Sequence, residues 1–79
     1  MIVFEFFASL ERLAGARELP FDGVYATVGE ALGALAAARP ELASLVERCA
    51  CASGDVIVRR ADPVPADGRI ALLPPVAGG

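Results

Sequence analysis

The chain closes with Leu72-Leu73-Pro74-Pro75-Val76-Ala77-Gly78-Gly79, and its terminal glycine pair is where its residue types first suggest chemistry. Glycine has no Cβ to block close approach, so this end can thread a narrow passage and present its last carbonyl. A carboxylate is a poor electrophile, and reaction at Gly79 therefore requires activation. Adenylation makes a mixed anhydride with a good leaving group. A sulfur nucleophile attacking that anhydride leaves a thiocarboxylate. Leu73 and Pro74 both precede prolines and are biased toward extended conformations, so Pro74-Pro75 should project the chain stiffly outward. Residues Pro74 to Gly79 can span roughly 20 Å at about 3.3 Å each.

Cys49-Ala50-Cys51 is the second candidate. A cysteine carries sulfur as a persulfide when its thiolate is favoured and exposed. Here Arg48 is the only adjacent basic residue and the neighbours are small and apolar, so the simpler reading packs Cys49 inside and leaves Cys51 in a connecting loop. The chain contains no histidine, which removes Ser/His and Cys/His pairs and leaves the two cysteines short of a zinc site. Gly15, Gly23, Gly29 and Gly33 are scattered and do not form a phosphate-cradling loop. No two carboxylates are paired at an evident cleft, and they read as a solvated surface. By itself the chain makes a poor enzyme, with no metal or bound cofactor called for.

At 79 residues the chain makes one small domain that buries about 60–65% of its unfolded surface. It is 56% hydrophobic, enough for a core with apolar surface left over for a partner. The net charge of −3 argues against a nucleic-acid partner, which requires a basic stripe. All 7 basic residues are arginine, so a lysine nucleophile or Schiff base is excluded. Met1 leads straight into Ile2-Val3-Phe4 without the marks of a secretory leader, no apolar run approaches the ~20 residues of a membrane span, and closely spaced cysteines fit a reducing, cytoplasmic setting.

These residues must be positioned by a small α+β scaffold. Met1 to Ala8 reads as a strand, with Ile2, Phe4 and Phe6 on one face and Val3, Glu5 and Phe7 on the other. Ser9 to Ala14 forms a helical turn stopped at Gly15. Arg17 to Phe21 is a short strand that must lie at an edge because of Pro20. Thr27 and Glu30 have capping-box spacing and open a helix carrying Val28, Leu32, Leu35 and Ala36 inward, which Pro40 ends. Glu41 to Arg48 is a short helical piece, Val56 to Arg60 a third strand after Gly54-Asp55, and Arg69 to Leu73 the last. The order suits a mixed sheet of about four to five strands on one main helix, the β-grasp arrangement. Residues 1–73 form the domain and 74–79 an extended tail. With Glu5, Arg59 and Arg69 facing solvent, alternation sends Val3, Phe7, Ile57, Ala71 and Leu73 the same way, a greasy outer face that is either partly covered by the chain's own loops or a docking surface anchored by Phe7, the second favoured because the tail leaves the same sheet.

The pattern resembles the molybdopterin synthase small subunit, a ubiquitin-like sulfur carrier of molybdenum-cofactor biosynthesis, over essentially the whole chain. The resemblance rests on Phe6-Phe7-Ala8 with Leu10 and Leu13-Ala14-Gly15, on Thr27-Val28-Gly29-Glu30-Ala31-Leu32, on Asp67-Gly68, and most specifically on Leu73-Pro74-Pro75-Val76-Ala77-Gly78-Gly79. Thiamine-pathway sulfur carriers share the glycine pair but usually lack the prolines before it. The chain departs from the pattern at Arg59-Arg60-Ala61-Asp62, where an asparagine often follows the strand.

The resemblance implies that Gly79 is adenylated, with ATP used by a partner related to ubiquitin-activating enzymes, and converted to a thiocarboxylate. The tail would then enter the large subunit of a heterotetramer and give its sulfur to the molybdopterin dithiolene. Gly78 would provide clearance, Pro74, Pro75, Val76 and Ala77 would place the tail, and Phe7, Leu73, Val3 and Ile57 would dock. The chain would be a sulfur-donating co-substrate, the acid-base groups coming from the large subunit. Two other readings keep the fold: a carrier for thiazole synthesis, tRNA thiolation or cysteine synthesis, and an interaction module with an inert tail. A conjugating modifier is a third.

Overall fold

The computed structural model describes residues 1–75. The strands are β1 (Ile2–Phe6), β2 (Glu18–Phe21), β3 (Ala50–Ser53), β4 (Val56–Val58) and β5 (Arg69–Leu73). The helices are α1 (Ser9–Ala14), α2 (Val28–Ala38) and α3 (Ala43–Arg48), with a single 3-10 turn at Pro40–Leu42 leading into α3. One mixed sheet runs β2-β1-β5-β3-β4. β1 and β5 pair in parallel at its centre and the remaining pairs are antiparallel. This is the β-grasp arrangement.

Local signals account for much of it. Gly15 closes α1 in the left-handed region at φ 79°. The Thr27 side chain accepts from the Glu30 amide at 3.2 Å, and the Glu30 carboxylate reaches back to the Ala26 amide at 3.2 Å, one residue before the cap. Pro20 sits on β2, at the edge of the sheet, as its missing N–H requires. Phe4, Leu10, Val28, Leu35, Leu42, Ile70 and Leu72 are fully enclosed between the sheet and the helices, with Phe4 and Phe21 edge to face at 5.6 Å.

Three expectations require correction. The first strand ends at Phe6, because Ala8 turns the chain sharply with φ 52° and ψ −125°. The strand expected over Val56 to Arg60 ends at Val58, because the Asp62 carboxylate takes the Arg59 amide at 2.8 Å and folds the chain away. A fifth strand, β3, replaces the loop expected at Cys51. Ala-Cys-Ala-Ser has little intrinsic strand preference; it is held extended because β5 and β4 flank it on either side.

Candidate functional site

The sheet face away from the helices is assembled by register. Val3 lies opposite Arg69 and Glu5 opposite Ala71; Leu73 lies opposite Ala50 and Ala71 opposite Ala52; Ala52 lies opposite Ile57. Strand alternation therefore gathers Val3, Ala71, Leu73 and Ile57 on one face, as the sequence predicts. Ala50 and Ala52 join them, unforeseen because their segment read as loop. Their flanking of Cys51 at alternate positions was the available signal. Ala52 and Ala71 are so closely ringed that they are buried even on this outer face. They make a flat floor, with Ile57 standing 63% exposed beside it. Phe7, one residue past the end of β1, is 46% exposed while Phe6 beside it is 2% exposed. The two consecutive aromatics thus face opposite ways, Phe6 into the core and Phe7 outward.

The other end of the face is charged. Arg69 Nε donates to Glu5 at 2.7 Å and its terminal nitrogen to Glu18, so one guanidinium spans β5, β1 and β2. Glu5 chiefly, with Glu18, pushes the Arg69 pKa further up, keeping it charged. An open groove of about 360 Å³ lies beside Phe7, lined by Glu5, Phe6, Glu11, Arg17 and Glu18. Arg59, expected on this face, is exposed but lies beyond the end of β4.

The tail leaves from this face. Leu73 and Pro74 are half-buried and Pro75 is exposed. Val76, Ala77, Gly78 and Gly79, on which the chemistry was placed, lie outside the described residues.

The cysteines are both free and both in the core. Cys49 donates its S–H to the Val46 carbonyl at 3.3 Å, and Cys51, corrected from loop to strand, faces inward opposite Leu72. The Cys51 thiol, with help from the nearby Arg60 guanidinium, draws the Cys49 pKa down to about 7 against the effect of burial. Cys51 is pushed up by the same contact and by burial. At 3% exposure Cys49 is not presented to a sulfur donor.

The segment Arg59-Arg60-Ala61-Asp62 has structural work. The Arg60 guanidinium donates to the carbonyls of Val46 at 2.6 Å, Glu47 at 3.2 Å and Cys49 at 3.4 Å, capping α3. The Arg60 and Asp62 carbonyls accept from the Gly29 and Val28 amides, both at 2.9 Å. With Thr27 on Glu30, the first amides of α2 are thus taken, leaving none for a phosphate. Among the described residues no three His, Cys, Asp or Glu side chains converge as a metal site, and no helix is long and apolar enough to cross a membrane.

Comparison with known proteins extends this picture. A family model described as the ThiS family matches residues 4–79. The crystal structure of SAMP1 from Haloferax volcanii is similar at 33% identity and a TM-score of 0.75, covering 99% of this chain and 98% of that one. A second structure, of H. volcanii small archaeal modifier protein 1, is similar at 32% identity and a TM-score of 0.73, covering 95% and 97%. A complex of subunits 1 and 2 of the molybdopterin-converting factor from Helicobacter pylori 26695 shares the fold at 23% identity and a TM-score of 0.67, covering 99% and 97%. No curated protein matches.

Proposed function

The chain belongs to the ThiS family of ubiquitin-like sulfur carriers, and from that membership we propose that it is the sulfur-carrying small subunit of a molybdopterin synthase. The observation that carries the reading is continuity: the Pro74-Pro75 root leaves β5 at the rim of an apolar sheet face bearing Phe7, Leu73, Val3 and Ile57. A domain docked by that face sends its tail into the same partner. The H. pylori structure, a complex of two converting-factor subunits, supports a large subunit as that partner.

The chemistry proceeds at Gly79. Its carboxylate oxygen attacks the α-phosphorus of ATP on a cytoplasmic adenylating enzyme, and pyrophosphate leaves. A sulfur nucleophile then displaces AMP, giving the thiocarboxylate. Gly78 clears the passage, and Pro74, Pro75, Val76 and Ala77 set its reach. This chain supplies sulfur and binding surface; the acid-base groups belong to the large subunit, which builds the dithiolene.

The likeness to SAMP1 at 33% identity, higher than to the converting-factor subunit, favours a second reading in which the activated Gly79 modifies other proteins. Carriers for thiazole, tRNA or cysteine sulfur share the activation and differ only in acceptor. Intact-mass measurement after co-expression with an adenylating enzyme and a sulfur source tests the proposal. A species heavier by the difference between sulfur and oxygen at Gly79, with capture of a molybdopterin synthase large subunit, is the expected result. Amide-linked adducts to lysines elsewhere would favour the modifier. Activity unchanged by one extra residue retained after Gly79 would leave an inert module.

A further inference from the structure

The two edges of the sheet are treated differently. β2 is blunted by Pro20, which has no amide to offer, and by the charged Glu18. β4 ends the sheet on the other side with Val56 and Ile57 at 64% and 63% exposure, and among the described residues no strand covers it. The turn Gly54-Asp55 joins β3 to β4 with only two residues, Gly54 holding φ 59°. Such a hairpin makes Ser53 and Val56 a hydrogen-bonded pair, and Cys51 and Val58 the next. The Ile57 amide and carbonyl therefore point to the open edge. Arg59 shares that orientation, but Asp62 occupies both its groups, accepting from its amide at 2.8 Å and donating to its carbonyl at 3.0 Å. The available ladder is centred on Ile57 alone.

The sequence around that centre is symmetric in charge: Asp55-Val56-Ile57-Val58-Arg59. We infer that the β4 edge pairs antiparallel with the β4 edge of a second copy of this chain, about a two-fold axis at Ile57. Ile57 then exchanges two hydrogen bonds with its counterpart. In that register each Asp55, in the turn before β4, comes level with the other copy's Arg59, just past the end of that strand, so both flanking charges are matched. A shift of one residue breaks the match and turns the side chains over. Among the described residues neither charge has a side-chain partner, which leaves the pairing to set the register. The product is a closed, isologous dimer with one continuous ten-stranded sheet. So narrow a contact falls short of the roughly 1,000 Å² of a stable interface, and the dimer is weak and reversible. This inference does not depend on the sulfur-transfer reading: its hydrogen bonds come from the Ile57 backbone, and of the docking face it crowds only the Ile57 side chain, leaving Phe7, Val3 and Leu73 free.

Sedimentation equilibrium of the full chain, from micromolar to millimolar concentration, tests it. The expected result is a concentration-dependent dimer, with concentration-dependent shifts of the Ile57 amide in ¹⁵N–¹H spectra of the unaltered protein. Asp55→Arg should weaken the dimer about tenfold, since two opposite-charge pairs become like-charge pairs, and Asp55→Arg with Arg59→Asp should restore it. A monomer throughout would overturn the inference. So would a dimer indifferent to Asp55→Arg, which would place self-association on the apolar outer face. A double variant that folds, by its spectrum, yet fails to recover pairing would overturn it as well.

Discussion

Ala50 lies directly opposite Leu73 in the β3–β5 ladder, so the residue between the two cysteines braces the residue from which the proline pair departs. Ala50 is exposed on the outer face, and nothing in the core depends on its side chain. Ala50→Glu should therefore leave thermal unfolding nearly unchanged and, on the docking reading proposed above, weaken binding to the large subunit by about 1–2 kcal/mol, as for a charge placed inside an apolar contact. Calorimetric titration against a purified large subunit, beside a melting curve, reads both quantities.

Phe6 and Phe7 should separate stability from docking. Phe6→Ala empties core space and should cost about 3–5 kcal/mol of folding stability. Phe7→Ala should cost about 1 kcal/mol, in keeping with its partial burial, and more than that in partner affinity. Urea unfolding of both variants checks the first pair of values. Equal destabilisation would place Phe7 in the core.

The two glycines inside α2 should respond differently to alanine. A Cβ on Gly33 meets nothing within 4 Å, so Gly33→Ala should stabilise by about 0.5–1 kcal/mol through helix preference. At Gly29 the Cβ would lie 3.1 Å from the Arg60 carbonyl, which is held there by its bond to the Gly29 amide. Gly29→Ala should gain less or lose stability. Denaturant midpoints at constant slope decide it.

Ala8 occupies backbone space at φ 52°, ψ −125° that suits glycine. Strain of this kind costs about 1–3 kcal/mol, and glycine returns only part of it as unfolded-chain entropy, about 0.4–1 kcal/mol. Ala8→Gly should raise the melting temperature, and an unchanged or lowered value would show that the turn is unstrained.

The cysteine pair gives stability a pH signature. Cys49 ionises near 7 in the folded protein, below the roughly 8.5 of an unfolded cysteine, while Cys51 is raised. From about pH 7 to 8.5 the folded state has released one proton that the unfolded chain still holds, so stability rises with pH. Above about 8.5 the unfolded chain loses both protons and Cys51 keeps its own, so stability falls. Urea unfolding across that range under reducing conditions should show the maximum, and Cys49→Ala should abolish the rising limb.

What the sequence made legible was local. Gly15, the Thr27–Glu30 cap and Pro20 each fix one piece of backbone through their own chemistry, and the alternation of β1 and β5 assigned the outer face before register was known. β3 was hidden because its residues carry no strand preference of their own; only pairing with β4 across a two-residue turn and with β5 from far along the chain extends them. The same holds for Arg60, whose caps on Val46, Glu47 and Cys49 cross more than ten residues. Surface charge around a strand can be read from composition, but a long-range cap of this kind has no sequence spacing to announce it.

β5 is the central strand, zipped to β1 on one side and β3 on the other, and it is also the strand that runs out into the tail. A pull on that tail acts along β5 and loads both ladders lengthwise. Two ladders then resist that pull, whereas a tail on an edge strand would be held by one. The tail is thus rooted in the middle of the sheet, where its strand is anchored on both sides.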